Sequence, residues 1–203
     1  MSESKHAWNI RSGKVTKFLG IHITQSATRV TIDRQACIKK VLQCFQITIA
    51  KIAPTPLLTG YNPIENTEPV NPVWCQRYQQ VIGSLLYLML GTWPDITYAV
   101  IKLSQFSVNP SQIHLDKVMY NMHYLVGTQH YKIVYNGKVA GGLIAFTDSD
   151  WAADETKCCS TTGYFTVLAS SSVCWQSHLQ KIVVLSSTEA KYMTLSDTSW
   201  QIA

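Results

Sequence analysis

The stretch that decides the fold runs from residue 143 to residue 199. It contains LIAFTD at 143–148, TTGYFTVL at 161–168, VCWQ at 173–176 and LSSTEAKYMTLSDTS at 185–199. The first three segments are rich in the β-branched and aromatic residues that favour strands. The fourth offers Ser187 or Thr188 as an N-cap ahead of good helix formers. The pattern predicts three successive strands followed by a helix.

Three amphipathic helices are predicted upstream of these strands, at about 73–90, from Pro94, and after Ser111 as an N-cap. Apolar residues recur in them at helical spacing. These residues are Trp74, Tyr78, Val81, Leu85 and Leu88, then Ile96, Ala99, Val100, Leu103 and Phe106, then Leu115, Val118, Met119, Met122 and Leu125. The prolines and glycine of residues 53–72 predict a long loop before them. The predicted class is therefore α+β, with a helical region before a three-stranded sheet and its helix.

The amino-terminal part combines a predicted hairpin with a basic charge. KFLGIHIT at 17–24 and RVTID at 29–33 are predicted to pair as two strands, with a helix at 34–45 and a short β-like segment at 133–135. Residues 1–51 carry nine Lys or Arg against Glu3 and Asp33, a net charge of +7, whereas the remaining residues sum to −2. This asymmetry indicates an anionic partner such as nucleic acid, although a merely solvated basic face is an equal alternative.

The apolar segments of the sequence point to an intracellular protein, cytoplasmic or nuclear. The longest purely apolar run, Leu85 to Leu90, is far shorter than the ~20 residues of a membrane-spanning helix. No apolar stretch of signal-peptide length occurs at the amino terminus. The six cysteines include no C-x-x-C spacing, so we expect partly buried free thiols rather than a zinc site.

Two carboxylates are candidates for chemistry. Asp148 closes a strongly apolar predicted strand, and Glu189 opens a predicted helix 41 positions later. A carboxylate at a strand end facing one in a first helical turn is a usual way to hold Mg²⁺, which prefers oxygen ligands. Two such ions about 4 Å apart activate water for phosphodiester cleavage. Each position also has an ordinary structural explanation, since Glu is favoured in first helical turns by the helix dipole.

Eight motifs in a fixed order help to decide whether Asp148 and Glu189 have a catalytic or only a structural role. They are KFLGI, PTPL, YQQVIGSLLYLMLGTWPDITYAV, LSQF, YLVGT, TDSDWA, STTGY and WQSHLQKIVVLSSTEAKYMTLSD. In order and spacing this series resembles copia-type retrotransposon polyproteins over nearly the whole chain from Lys17 onward. Residues 1–16 form a leader that matches no part of the pattern.

The resemblance implies a division of the chain and a set of site residues. Residues 17–135 are expected to form the primer-grip hairpin, thumb and connection of a reverse transcriptase, with nucleic acid contacted by Lys17, Phe18, Leu19 and Gly20. Residues 138–203 are expected to form an RNase H-like domain truncated after its first helix. The motifs TDSDWA and SSTEA then assign Asp148 and Glu189 as catalytic residues and as Mg²⁺ ligands.

Catalysis by the chain itself is not expected. The family's polymerase chemistry needs an adjacent pair of aspartates, which these 203 residues lack. The third and fourth RNase H carboxylates would lie beyond Ala203, so Asp148 and Glu189 are expected to be vestigial and to hold no Mg²⁺ tightly. The expected partner is an RNA/DNA hybrid or other nucleic acid, bound weakly and non-specifically, and neither a membrane nor a small-molecule substrate is expected.

Two alternatives stay open at this point. Beside the inactive Pol fragment, the chain could be a non-specific nucleic-acid-binding remnant that uses its basic amino-terminal region, or a metal-dependent RNase H completed by missing residues or by another chain. Departures from the family pattern bear on the choice: Trp93 stands where the family has Arg, Thr97 where it has Ala, and Lys191 where it has Glu. These changes favour the hypothesis of a decayed retrotransposon copy.

Overall fold

The computed structural model describes residues 13–47, 51–137, 142–152 and 158–202. Most of the predicted leader, residues 1–12, lies outside the described residues. In chain order the elements are β1 (Lys17–Phe18), β2 (Ile21–Gln25), β3 (Arg29–Asp33), α1 (Gln35–Cys44), α2 (Pro72–Thr92), a 3-10 turn (Pro94–Ile96), α3 (Thr97–Ser104), α4 (Gln112–Thr128), β4 (Ile133–Asn136), β5 (Ile144–Asp150), β6 (Thr161–Leu168), β7 (Ser171–Leu179) and α5 (Ser187–Ile202).

A hairpin turn divides the segment that was predicted as a single strand at 17–24. Leu19 and Gly20 both have positive φ, 46° and 79°, and Phe18 pairs with Ile21 across the turn. Two consecutive left-handed residues reverse the chain between β1 and β2. The prediction of one continuous strand was therefore wrong, whereas the predicted pairing of 17–24 with 29–33 is confirmed by the β2–β3 ladder.

The first sheet has the order β1-β2-β3-β4, with all neighbours antiparallel. Its last strand comes from a distant part of the chain, since Val30 of β3 pairs with Tyr135 of β4. The predicted β-like segment at 133–135 is thus a strand, and it joins the hairpin to the end of the helical region.

The helical region is built around the predicted apolar stripes. Most of these side chains are at most 4% exposed, including those of Tyr78, Leu85, Leu88, Ile96, Val100, Leu103, Met122 and Leu125. Burial of each large apolar side chain stabilises the fold by about 1.5–3 kcal/mol. The stripe prediction fails at Trp74, which is 38% exposed beside the helix start. Trp93, by contrast, is 2% exposed and belongs to the same core.

Side chains and prolines mark the helix starts. Asn71 caps α2, because its Oδ1 accepts hydrogen bonds from the N–H groups of Val73 and Trp74 at 3.1 and 3.3 Å. Ser111 precedes α4 as predicted, and its N–H donates to His114 Nδ1 at 3.0 Å. Burial lowers the pKa of His114, which keeps this nitrogen available as an acceptor.

The second sheet has the order β5-β6-β7, also antiparallel, and α5 lies on one of its faces. The hydroxyls of Thr162 and Thr194 meet at 3.0 Å, and Gln180 Nε2 donates to Ala190 O at 3.0 Å. The predicted order of three strands and a helix is confirmed. The predicted cap is not, because Ser186 Oγ rather than Ser187 or Thr188 accepts a hydrogen bond from the N–H of Glu189.

The second sheet packs against the helical region, which completes an α+β architecture. Trp175 Nε1 donates to Met89 O of α2 at 3.0 Å. Tyr135 Oη of β4 donates to Ser172 O at 2.6 Å, which also joins the second sheet to the first. In the ranges given above, no helix combines the length and apolar character that crossing a bilayer requires. All six cysteines are free, and four of them are partly buried, whereas Cys44 and Cys158 are exposed.

Candidate nucleic-acid interface and carboxylate site

The four residues predicted to contact nucleic acid lie at the tip of the β1–β2 hairpin. Lys17 and Phe18 form β1, and Leu19 and Gly20 form the turn. The side chains of Phe18 and Leu19 are 60% and 72% exposed. The tip thus presents apolar side chains next to a lysine, a combination that suits stacking against bases beside a phosphate.

A buried arginine fixes this tip to helix α2. Arg34 is 6% exposed, its guanidinium lies 4.2 Å from the centroid of the Tyr87 ring, and it donates hydrogen bonds to Tyr87 O and, at 3.3 Å, to Leu19 O. Tyr87 Oη also donates to Leu19 O, at 3.1 Å. Sequence reasoning counted Arg34 only as one of nine basic residues. The position of Arg34 directly after a predicted strand and before a predicted helix could have suggested a structural role, but no pattern in the sequence predicts its hydrogen-bond partners.

Two glycines leave space for the Arg34 and Tyr87 side chains, which together anchor the hairpin tip to α2. A Cβ atom at Gly91 would lie 2.2 Å from Arg34 Cζ, and one at Gly20 would lie 2.6 Å from Tyr87 Oη. Both distances are too short for real carbon contacts, so a side chain at either position would displace the anchor. The hairpin position therefore depends on residues from Leu19 to Gly91, which lie 72 positions apart in the sequence.

A cleft of about 410 Å³ opens beside the hairpin and is lined by basic side chains, including Lys17, His22 and Lys40. Asp33 also lines the cleft, but its carboxylate pairs with Lys132 Nζ at 3.1 Å and with His22 Nδ1 at 3.6 Å. Burial alone would raise the pKa of Asp33, but the hydrogen bonds from Lys132, the Gln35 N–H and His22 outweigh it and hold the pKa below its usual range. With its one carboxylate neutralised by Lys132, the cleft suits an anion.

Asp148 and Glu189 each engage in a local hydrogen bond. Asp148 is exposed within β5, which continues to Asp150 instead of ending at Asp148 as predicted, and its Oδ1 accepts from the N–H of Ser149 at 2.9 Å. Glu189 is exposed in the first turn of α5, and its Oε2 accepts from the N–H of Leu185 at 3.1 Å.

Strand alternation places Asp148 on the sheet face opposite α5. Its neighbour Ser149 pairs with Thr162, whose hydroxyl meets α5. Because successive strand residues point to opposite faces, Asp148 shares its face with Phe146 and Asp150. A groove of about 400 Å³ between residues 147–149 and α5 is lined, among the described residues, by Thr188 and Lys191 but not by Glu189.

The surroundings of Asp148 and Glu189 can be compared with the Mg²⁺ site that the family resemblance implies. No group of three or more His, Cys, Asp or Glu side chains in the described part of the chain is close enough to hold a metal ion. Lys191 lines the groove between residues 147–149 and α5, at the position where the resemblance places a glutamate in the family. A positive charge there opposes a divalent cation.

Comparisons with known proteins identify relatives over most of the chain. The chain is 36% identical over 187 residues to a retrovirus-related Pol polyprotein from transposon RE1 of Arabidopsis thaliana, which covers 90% of this chain and 12% of the relative. It is 34% identical over 196 residues to a putative transposon Ty5-1 protein of Saccharomyces cerevisiae, covering 94% of this chain and 62% of the relative. It is 38% identical over 122 residues to a secreted RxLR effector protein of Plasmopara viticola, covering 60% of this chain and 86% of the relative.

The chain spans about an eighth of the RE1 polyprotein and less than two thirds of the Ty5-1 protein. No protein-family model matches it, and no solved structure matches it. A Pol polyprotein from transposon TNT 1-94 of Nicotiana tabacum, 32% identical over 92% of this chain, agrees with the first two relatives. Together with the ordered motifs, these similarities show that the chain belongs to the family of copia-type retrotransposon Pol polyproteins.

Proposed function

We propose that the chain is a non-catalytic segment of a Pol polyprotein that contacts nucleic acid through its amino-terminal hairpin. In this proposal residues 17–135 correspond to the primer-grip hairpin, thumb and connection of a reverse transcriptase. Residues 138–203 correspond to the first three strands and first helix of an RNase H-like domain. The order of the motifs and the arrangement of β5, β6, β7 and α5 support both assignments.

The observation that supports the lack of catalysis is that the two candidate carboxylates lie in different local surroundings. Asp148 and Glu189 have different local partners and line no common groove among the described residues. Hydrolysis by two metal ions needs several carboxylates converging on both ions. These 203 residues also contain no adjacent Asp pair for nucleotide addition.

A cleavage assay tests this part of the proposal. The 203-residue chain should leave the RNA strand of an RNA–DNA hybrid intact in Mg²⁺ and in Mn²⁺. Cleavage that vanishes in Asp148→Asn and persists in Asp116→Asn, a matched change on the exposed side of α4, would overturn it. That result would favour a nuclease whose site closes only when metal and substrate bind.

The cleft beside the hairpin favours nucleic-acid binding as the retained property. Lys17 and Lys40 line it while Asp33 is neutralised by Lys132, and Phe18 is exposed at the adjacent tip. Each phosphate contact releases about one counterion from the nucleic acid, so an affinity that rests on such contacts falls steeply as the salt concentration rises. We expect Lys17→Ala with Lys40→Ala to weaken binding to a short duplex and to flatten its salt dependence. Replacement of Lys117 and Lys181, which do not line the cleft, should change neither quantity specifically.

A further inference from the structure

Strand β5 lies at the edge of the second sheet. It pairs with β6 along its whole length, and its other side has no strand partner among the described residues. Sheet edges are normally protected by lysine, proline, a bulge or other charged side chains. β5 contains no lysine or proline, and its ladder with β6 has no register shift. Its charged residues, Asp148 and Asp150, protect only its last part, so the edge from Ile144 to Thr147 can pair with another strand.

Helix α5 carries large apolar side chains on its outer side. The residues that it buries against the sheet are small or polar, namely Ala190, Thr194 and Thr198. Tyr192 and Leu195, by contrast, are 69% and 52% exposed. A surface helix normally has the opposite arrangement, with its apolar stripe toward the core. An exposed apolar stripe of this kind is typical of an interaction surface.

The open edge of β5 and the outer stripe of α5 face one groove. Residues 147–149 form one wall of this groove, and Tyr192 and Leu195 belong to the other. A strand added to β5 would therefore run along the groove and pack against both side chains. Asp148 and Lys191 are the charged residues among those that line the groove, and their formal charges cancel. A neutral lining favours an apolar protein segment over a phosphate backbone.

We propose that this groove binds a second copy of the chain, through antiparallel pairing of β5 with β5 across a two-fold axis. A two-fold axis perpendicular to the sheet makes the interface self-complementary, because each copy supplies both an open strand edge and an apolar helical stripe. The two three-stranded sheets then form one continuous antiparallel sheet, with both α5 helices on the same face.

The dimensions of the fold favour a second copy over a lone strand. Helix α5 packs over β5 and β6, and neighbouring strands lie about 4.8 Å apart. Two strand spacings separate the β5–β6 midlines of the two copies, so the α5 axes would lie about 10 Å apart, the ordinary distance between packed helices. Each helix would cover Tyr192 and Leu195 of the other half of the groove, whereas a strand without its own helix would leave them partly exposed.

Charge and aromatic contacts select the register of the pair. In a two-fold antiparallel pair one residue lies opposite its own copy, because opposite side chains share a face. With Phe146 in that position, Asp148 lies opposite Ile144 of the second copy, and the two Asp148 residues stay about 14 Å apart along the strands. A pair centred on Asp148 would place like charges opposite each other, which is destabilising. Phe146 is 57% exposed and its ring lies 6.3 Å from that of Phe165, so pairing at Phe146 extends one aromatic row across both sheets.

Sedimentation velocity of the 203-residue chain tests the proposal over about a hundredfold range of concentration around micromolar. The unaltered chain should pass from monomer to dimer as the concentration rises. Phe146→Lys places like charges opposite each other, and Leu195→Lys charges the helical stripe, so each should weaken the dimer by at least about tenfold. Leu90→Lys makes the same change at an exposed position of α2 and should dimerise as the unaltered chain does.

A charge-swapped pair of variants separates loss of the interface from loss of the fold. Phe146→Lys and Phe146→Glu should each stay monomeric alone, whereas an equimolar mixture should form a heterodimer, because opposite charges then face each other. Hydrogen exchange of the unaltered chain gives a second measure. Amides of β5 should exchange faster than those of β6 in the dilute monomer and should become protected as the dimer forms.

Several results would overturn the proposal. A chain that stays monomeric over the whole range has no such interface. A dimer that Phe146→Lys and Leu195→Lys leave unchanged, or a charge-swapped mixture that stays monomeric, would place the contact elsewhere. Protection of β5 equal to that of β6 in the monomer would mean that another segment of the same chain covers the edge.

Discussion

Gly91→Ala should destabilise the protein although it places a better helix former in helix α2. The new Cβ would lie 2.2 Å from Arg34 Cζ and 2.4 Å from both Nε and Nη1, so the buried guanidinium has to leave its position. It would then lose its hydrogen bonds to Tyr87 O and Leu19 O. Hydrogen bonds from a charged donor contribute about 1.5–3 kcal/mol each. Replacing glycine in a helix returns at most about 1 kcal/mol, so we expect a net loss of about 2–5 kcal/mol.

Gly83→Ala is the matched control, because it lies in the same helix and its added Cβ would meet nothing within 4 Å. It should raise the free energy of unfolding by about 0.5–1 kcal/mol. Urea unfolding followed by far-ultraviolet circular dichroism measures both variants. With a denaturant slope of about 2 kcal/mol per molar urea, Gly91→Ala should shift the midpoint down by about 1–2.5 M. A midpoint for Gly91→Ala equal to or above that of the unaltered chain would refute the Arg34 anchor.

Three further predictions concern the hairpin, the buried carboxylate and the second sheet. Leu19→Asn should raise the free energy of unfolding by about 1 kcal/mol, because Asn tolerates the left-handed φ of 46° better than Leu does, and a lower thermal midpoint would contradict this. Asp33→Asn should cost about 1–3 kcal/mol at neutral pH. Because the fold lowers the pKa of Asp33, the contribution of its carboxylate to stability is complete above the unfolded pKa of about 4 and is lost as the pH falls through the folded pKa. The urea midpoints of Asp33→Asn and the unaltered chain should therefore converge in acid. A difference between the two midpoints that stays constant with pH would exclude this role. By hydrogen exchange, amides of β5 should exchange faster than those of β6, because β6 is paired on both sides and β5 on one side within the described residues; equal protection would mean that another segment covers β5.

Local periodicity predicted most elements of this fold. Tyr78, Val81, Leu85 and Leu88 recur at helical spacing and are all buried in α2. The three strands of the second sheet and the helix packed on it could be predicted equally well, because β-branched and aromatic segments alternate there with turn residues. Such features depend on contacts between near neighbours in the chain, which a single sequence records directly.

Features that depend on distant contacts could not be predicted from the sequence. The pairing of Val30 with Tyr135 joins segments that 105 positions separate, and no residue pattern specifies that partner. The turn at Leu19 and Gly20 lacks the Asn-Gly signal of tight hairpins, so a continuous strand pattern concealed it. Its conformation depends instead on Arg34 and Tyr87, which hold Leu19 O in place.

The candidate site shows the same limit. The motifs identified Asp148 and Glu189 as candidates, and the structure places Glu189 in the first turn of α5 as predicted, whereas Asp148 lies within β5 and not at its end. Spacing does not define which face of a strand a side chain occupies relative to the helix packed on it. The one-residue alternation between Asp148 and Ser149 decides that question, and it places Asp148 away from α5.

The most direct test of a non-catalytic, nucleic-acid-contacting Pol segment is a single incubation that reports binding and cleavage together. A labelled RNA–DNA hybrid is mixed with the 203-residue chain in Mg²⁺ at increasing salt, and both the bound fraction and the length of the RNA are read. We predict a complex at low salt that dissociates as salt rises, that weakens when Lys17 and Lys40 are replaced together, and that leaves the RNA at full length throughout. Shortened RNA that depends on Asp148, or an absence of complex even at the lowest salt, would contradict the account.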